Sequence, residues 1–291
     1  MFQIISDGSC DFSNEEVKKY NVDIVPFYIS FDEVTYLKEG IDIHKEEYFN
    51  KLINDKNLFP KTSQPNPNDY IEFFTPYLKN DTDIVCLTIS SKLSGSYNSA
   101  VIAIDTLKEE YPKRNIVLID SLSASLGQGL ILREIIKMRD VGIPVNQVKT
   151  LAEKVIKTTK IYFTLDTLEY LKKGGRIGPT SALVGGLLNL KPILHVVNGE
   201  VTQFDSVRGK KNVIKKIEEG LIAVLKGDSQ YINLSIGHIC SESDAITLKS
   251  NVENALNTKI DTPLVEVGAT VGTHVGPGAI AFAYCKSYEN V

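Results

Sequence analysis

The chain has 291 residues, of which 43% are hydrophobic and 23% charged, as in ordinary globular proteins. Its formal net charge of −4 argues against a general nucleic-acid binder, because such proteins present clustered positive charge to phosphate groups. The four cysteines include no C-x-x-C pair and the four histidines lack metal-ligand spacing. We therefore expect neither a metal site nor a cofactor.

The N-terminal sequence MFQIISDGSCD lacks the basic segment of a signal peptide. No apolar run approaches the roughly 20 residues that a helix needs to cross a bilayer. We therefore expect a cytoplasmic protein without a transmembrane segment, whose contact with a membrane surface is at most transient.

The first half of the sequence alternates predicted strands and helices. The strand FQII comes first, followed by a helix in SNEEVKKY with Ser13 and Glu16 at capping-box spacing. VDIVPFYISF is predicted as a strand, DIHKEEYFNKLIND as a helix, and Asn66 and Pro67 mark the start of another helix. Next come the strand DIVCLTIS, a helix beginning near Ser94, the strand NIVLID and the helix GLILREIIKMRDVG. This alternation predicts an α/β sandwich with a mainly parallel sheet.

The second half has a different pattern, typical of an α+β domain with antiparallel strands. Asn198 and Gly199 lie between two β-rich runs in KPILHVVNGEVTQFDSV, which predicts a type I′ hairpin. Helices are predicted at about 180–188 and 210–225. The strand YINLSIGHIC, the helix SDAITLKSNVENAL, and the strands TPLVEVG and AIAFAYC follow.

We place a domain boundary near residue 158. The prediction is an N-terminal α/β domain over residues 1–158 and a C-terminal α+β domain over residues 159–291. Ligands of open α/β sheets bind beyond the carboxyl ends of the strands. Two loops of the first domain meet this condition, SDGSCD after the first strand and SKLSGSYNSA after DIVCLTIS.

The second of these loops contains a candidate anion site. Ser94, Gly95 and Ser96 precede or begin a predicted helix, where free backbone N–H groups and the helix dipole favour a negative charge. The alternative is that Ser94 only caps its own helix.

Three further segments contain candidate binding residues. Thr62 and Ser63 in KTSQPNP precede a helix already capped by Asn66, so their hydroxyl groups are free for another partner; ordinary loop polarity explains them equally well. Arg176 lies between glycines in KKGGRIGP, where a guanidinium group can contact a carboxylate or phosphate; a solvated loop arginine is the alternative. His274 lies in VGATVGTHVGPGAIAFAY, whose glycines allow the backbone to approach a ligand closely.

The segment VRGKKNVIKK is strongly basic. Its cations are Arg208, Lys210, Lys211, Lys215 and Lys216. Such a run is more often a solvated helix face than a binding surface. The chain contains neither a P-loop motif nor the G-x-S-x-G motif of α/β-hydrolases. The residues alone thus predict a polar, anion-binding pocket with no assigned chemistry.

Taken in order, SDGSCD, KTSQPNP, SSKLSGSYNSA, LEYLKKGGRIG and GTHVGPGA resemble segments of the DegV family over essentially the whole chain. The resemblance implies a two-domain protein with a long-chain fatty acid bound between the domains. It further implies a FakB-type subunit of a bacterial two-component fatty acid kinase. Such a subunit is not itself an enzyme. It presents the carboxylate to a separate ATP-binding kinase subunit, which forms acyl phosphate for phospholipid synthesis.

The resemblance also implies roles for particular residues. The fatty-acid carboxylate is expected to bind Thr62, Ser94, Gly95, Arg176 and His274. No catalytic residue is implied, and the bound fatty acid is the only ligand. Arg208, Lys210 and Lys211 become candidate docking residues for the kinase subunit. The alternatives are a stand-alone acyl hydrolase that uses Ser94 and His274, and a regulatory lipid sensor without a kinase partner.

Overall fold

The structure is a computed structural model that describes residues 2–55, 57–177, 190–228, 232–257, 259–260 and 262–291. In these ranges the chain forms three β-sheets, of four, six and three strands. The predicted helix at about 180–188 lies outside the described residues. None of the helices in the described ranges has the length and apolar composition needed to cross a bilayer.

The first sheet has four parallel strands in the order β2-β1-β6-β7. Its strands are β1 (Gln3–Asp7), β2 (Val22–Val25), β6 (Ile84–Thr88) and β7 (Ile116–Asp120). β1 and β6 are buried along their whole length. Burial on both faces explains why β6 is a nearly continuous apolar run in the sequence. The mainly parallel sheet is therefore confirmed.

Among the described residues, six α-helices lie before residue 159. They are α1 (Asn14–Tyr20), α2 (Lys45–Asn54), α3 (Pro67–Lys79), α4 (Ser96–Lys108), α5 (Ser125–Asp140) and α6 (Val145–Thr158). The predicted capping box of Ser13 and Glu16 is present at the start of α1. Asn66 caps α3 by accepting hydrogen bonds from the next turn, and Pro67 is its first residue. The sequence analysis did not predict α6.

The segment VDIVPFYISF, predicted as one strand, forms two strands in different sheets. β2 belongs to the first sheet, whereas β3 (Tyr28–Ser30) pairs with β4 (Leu37–Lys38) and β5 (Lys61–Ser63) in a small antiparallel sheet. Pro26 lies between β2 and β3, and a proline cannot donate to a strand ladder. The small sheet places Thr62 in β5, opposite Ile29 of β3.

The second large sheet has six strands in the order β10-β9-β8-β13-β11-β12. They are β8 (Lys160–Thr164), β9 (Leu190–Val197), β10 (Glu200–Arg208), β11 (Ile232–His238), β12 (Leu264–Glu266) and β13 (Ile280–Lys286). All pairs are antiparallel except β11 with β12. At the β9–β10 turn, Asn198 has φ 49° and Gly199 has φ 85°, which confirms the type I′ hairpin.

The remaining helices are α7 (Glu169–Gly174), α8 (Lys210–Asp228), α9 (Glu242–Leu256) and α10 (Ala269–Val275). The glycine-rich stretch around His274 contains a helix that the sequence analysis did not predict. Its first half is helix α10, which places His274 in the last helical turn. Gly276, with φ 82°, ends this helix in a conformation that favours glycine.

Helices α5 and α6 precede residue 158 but contact β13 of the second large sheet. α5 also contacts β11, and α6 also contacts β7 of the first sheet. Helix α6 therefore packs against both large sheets. The boundary near residue 158 stays a prediction.

Candidate ligand-binding site

A cavity is lined by residues from both sides of residue 158. With its opening to solvent included, it encloses about 930 Å³, within the range of small-molecule sites. Most of the lining residues are apolar. They include Phe27, Leu93, Phe163, Val196, Val201 and Ala281.

Four of the predicted site residues line this same cavity: Thr62, Ser94, Arg176 and His274. Each comes from a different part of the fold. Thr62 lies in β5, Ser94 just before α4, Arg176 just after α7, and His274 in α10. The Thr62 hydroxyl is 2.8 Å from Nε2 of His274, so the two are hydrogen-bonded. The fold thus brings together residues that are far apart in the sequence.

His274 is a neutral imidazole at neutral pH. Burial, and to a smaller extent the positive charges of Arg176 and Lys61, together lower its pKa to about 4. Its Nδ1 is buried and has no hydrogen-bond partner among the described residues. A neutral ring has one donor and one acceptor nitrogen, so the Thr62 hydroxyl can either donate to Nε2 or accept from it.

Arg176 is a cation whose hydrogen bonds go to backbone oxygens. Its Nη1 donates to the Gly174 carbonyl at 2.6 Å, and its Nε donates to the Leu93 carbonyl at 3.2 Å. Partial burial lowers the pKa of the guanidinium group. No carboxylate of the described residues forms an ion pair with it. A partly buried charge without a counter-ion favours binding of an anion.

Ser94 and Gly95 have different positions relative to the cavity. The Ser94 hydroxyl accepts a hydrogen bond from the Ser96 N–H at 3.3 Å, which leaves its own hydrogen free to donate. Gly95 is the N-cap of α4 and is not among the lining residues. A Cβ at Gly95 would lie 2.5 Å from Nε2 of Gln64, so the glycine makes room for that side chain. Gln64 also lines the cavity. The local sequence did not indicate which of Thr62, Ser63 and Gln64 would do so.

The SDGSCD loop does not line the cavity, contrary to the sequence-based expectation. Its Asp7 is fully buried and accepts hydrogen bonds from the Ser96 hydroxyl at 2.7 Å and the Ile89 N–H at 2.9 Å. The Gln128 amide donates to the same carboxylate at 2.9 Å. The first loop therefore supports the second loop instead of binding the ligand.

Two carboxylates hold the start of helix α10, which carries His274. Asp11 accepts from the Gly268 N–H at 2.8 Å, and Glu39 accepts from the Thr270 N–H at 3.0 Å. Burial raises the pKa of Asp11 to about 7 and also raises the pKa of Glu39. Neither residue was identified from the sequence, because their partners are more than 200 positions away along the chain.

The basic segment lies outside the cavity lining. Lys210 pairs with Asp244 at 2.9 Å, and Lys216 pairs with Asp205 at 2.8 Å. Arg208 and Lys211 form no ion pair with the described residues. In the described ranges, no three or more His, Cys, Asp or Glu side chains are grouped to hold a metal ion.

Comparison with known proteins shows similarity over the full length of the chain. The model of the DegV family, described as uncharacterised proteins, matches residues 1–287. A DegV domain-containing protein of Clostridium perfringens is 35% identical, with 98% of both chains aligned. A fatty acid-binding protein of Thermotoga maritima is 31% identical, with 96% of both chains aligned. The crystal structure of a stearic acid-binding protein from Eubacterium ventriosum superposes with a TM-score of 0.94, at 31% identity and 100% coverage of both chains.

Proposed function

Because the chain belongs to the DegV family, we propose that it binds one long-chain fatty acid, with the tail in the apolar cavity. In this proposal the carboxylate binds at the polar end formed by Thr62, Ser94, Arg176 and His274. The observation that carries the proposal is that the mainly apolar lining of the cavity includes Arg176, a cation with no carboxylate partner among the described residues. A fatty acid has both features that this site requires, a long apolar tail and one anionic end.

The tail supplies most of the affinity in this proposal. Burying about 14 methylene groups at roughly 0.8 kcal/mol each gives on the order of 11 kcal/mol before the costs of association. Each hydrogen bond to the carboxylate contributes about 1.5–3 kcal/mol, mostly offset by loss of hydration. The polar residues therefore fix the position of the carboxylate more than they strengthen binding.

We further propose that the protein presents this carboxylate to a separate ATP-dependent kinase subunit. A carboxylate oxygen attacks the γ-phosphorus of ATP, the bond to the β–γ bridging oxygen breaks, and ADP leaves with the electron pair. The products are acyl phosphate and ADP. Thr62, Ser94 and His274 orient the attacking oxygen, and the kinase subunit supplies ATP and the groups that stabilise the transferring phosphoryl.

A stand-alone hydrolase is the weaker candidate. Hydrolases that use serine and histidine orient the histidine through its second nitrogen, usually with an acidic side chain. Here Nδ1 of His274 has no partner within the described part of the chain. The charged groups that shift its pKa are cations, Arg176 and Lys61. This environment favours a binding role for His274 over a role as general base.

The test has two stages. Lipid extracted from the purified, denatured protein should contain about one long-chain fatty acid per chain by mass spectrometry. Adding kinase subunit and ATP to the loaded protein should then yield acyl phosphate. Absence of fatty acid would refute the binding proposal. Bound fatty acid without acyl phosphate would refute the kinase role and favour a lipid sensor.

A further inference from the structure

A second, smaller cleft borders the head-group site. It encloses about 410 Å³ with its opening included. It shares Thr62, Arg176 and His274 with the cavity, so these three residues border both spaces. The proposed fatty-acid function uses the cavity and leaves the cleft without a role.

The charged residues that line this cleft are all cations. Besides Arg176 they are Lys61 and Lys173, and no carboxylate in the described ranges lines it. Lys61 forms no ion pair with the described residues, and its positive charge is close enough to lower the pKa of His274. Lys173 pairs with Glu169 at 3.3 Å, but Glu169 is half exposed and weakly attractive in water. In a chain of net charge −4, three cations around one cleft form a local anion site.

Aromatic rings fix one of these cations. The Lys173 ammonium lies over the Phe59 ring, 3.1 Å from its centroid, in a cation–π contact. Phe59 in turn packs against Tyr170, with ring centroids 5.2 Å apart. The ammonium group is thus held over a packed aromatic pair at the cleft. This order lowers the entropy lost when an anion binds.

We propose that the cleft formed by Phe59, Lys61, Tyr170 and Lys173 binds the phosphoryl group of the acyl phosphate after transfer. The inference rests on the proposed fatty-acid function and deepens it. A fatty-acid carboxylate has one negative charge, which Arg176 can balance. Acyl phosphate adds a phosphoryl group that points away from the tail and carries more charge. Lys61 and Lys173 line the cleft but not the cavity, so they are placed to contact the phosphoryl group and not the tail.

In this arrangement the cavity and the cleft bind different parts of the ligand. The apolar cavity holds the same tail before and after the reaction. The cleft is filled only by the product, so the lysines increase affinity for acyl phosphate without increasing affinity for fatty acid. The protein therefore retains the activated acyl group until an acyltransferase-type enzyme consumes it.

The experiment compares two ligands with the same tail. One is a saturated fatty acid, and the other is its hydrolysis-resistant acyl phosphonate, in which a methylene group replaces the bridging oxygen. Their affinities are measured by titration calorimetry with delipidated protein. The test variant carries Lys61→Gln and Lys173→Gln. The matched control carries Lys172→Gln and Lys157→Gln, two exposed lysines that line neither space.

In the test variant we expect phosphonate affinity to fall tenfold or more and fatty-acid affinity to change less than about twofold. The control should change neither. The wild-type preference for phosphonate should shrink as salt rises, because exposed charges are screened. Unchanged phosphonate affinity, or equal losses for both ligands, would overturn the phosphoryl site. Failure of wild type to bind fatty acid at all would instead refute the proposed function.

Discussion

Gly174 packs directly against the imidazole of His274, in a space that no side chain can share. A Cβ at position 174 would overlap Nδ1 of His274. The carbonyl of the same glycine accepts a hydrogen bond from Arg176 at 2.6 Å. One residue without a side chain therefore contacts both His274 and Arg176, and glycine is required at this position by the close approach of the imidazole.

Gly174→Ala should displace the His274 ring and break its hydrogen bond to Thr62. We expect a fall of tenfold or more in acyl-phosphate formation with the kinase subunit, while the protein stays folded. The control is Gly220→Ala in helix α8, where a Cβ meets nothing within 4 Å. Equal activity of the two variants would show that the position of the ring is unimportant.

Thr62→Val should test the hydroxyl group with little change in shape. The substitution removes the hydrogen bond to His274 and one group from the carboxylate site, a loss of about 1–3 kcal/mol in fatty-acid binding. Ser94→Ala should have an effect of similar size. Ser63→Ala is the control, because Ser63 is exposed and does not line the cavity. The measurement is fatty-acid affinity by calorimetry, and unchanged affinity in both test variants would remove these residues from the site.

His274→Ala should separate binding from phosphoryl transfer. Since the tail dominates affinity, most bound fatty acid should remain. Acyl-phosphate formation should fall by tenfold or more, about 1.4 kcal/mol in barrier terms. The paired measurement is lipid occupancy by mass spectrometry and product formation with kinase and ATP. Proportional loss of both would make His274 only a binding residue.

The pH dependence of the free energy of unfolding should reflect the titration of Asp11. Its folded-state pKa of about 7 lies above the ordinary value of 3.8, so the folded chain binds this proton more tightly than the unfolded chain. The free energy of unfolding should therefore contain a component that decreases as pH rises from about 4 to about 7. Glu39 strengthens this shift in pKa and Lys45 weakens it.

Asp11→Asn should remove that component. In wild type this component raises the urea midpoint at pH 5 relative to the midpoint at pH 8. We expect the variant to lack this contribution to the difference between the two midpoints. His274 acts in the opposite direction, because its pKa is lowered from 6.5 to about 4 and its contribution grows with pH. Asp105→Asn, at an exposed position of α4, is the control. A wild-type pH dependence in Asp11→Asn would contradict the assignment.

The two unpaired cations of the basic segment provide a test of kinase docking. We expect Arg208→Glu with Lys211→Glu to slow association with the kinase subunit, most strongly at low salt. Lys210→Glu should also disturb the pair with Asp244, so it is less informative. Lys108→Glu, on the exposed end of α4, is the control. Association rates that are independent of salt and substitution would leave the segment as a solvated helix face.

Sequence patterns predict those structural elements that depend on residues close together in the chain. The cap formed by Asn66 and the hairpin at Asn198 and Gly199 depend on neighbours along the chain, and both are present as predicted. Buried strands such as β6 are recognisable because both faces are apolar. Helix α10 was missed because its glycines suggest a loop. They are there instead because Phe49 and Tyr170 pack against Gly272 and Gly276.

In the candidate site, too, some residues could be named from the sequence and others could not. Thr62, Ser94, Arg176 and His274 were named from polar residues in loop patterns and from family resemblance, and they line one cavity. Asp11 and Glu39 could not be named. Their function is to hold the start of a distant helix, and that depends on tertiary contacts. No periodicity or spacing in the sequence records such a contact.

The hydrogen bond between Thr62 and His274 joins residues 212 positions apart. Closing so long a loop has an entropic cost, and proteins rich in contacts of this range fold slowly. During synthesis the N-terminal strands emerge first, and His274 follows Thr62 by 212 positions. A nascent chain therefore lacks the pair of Thr62 and His274 until residue 274 has been made. If the proposed site is correct, a fatty acid can use the contact with His274 only after this part of the chain has been made, so that contact cannot guide the folding of the N-terminal strands.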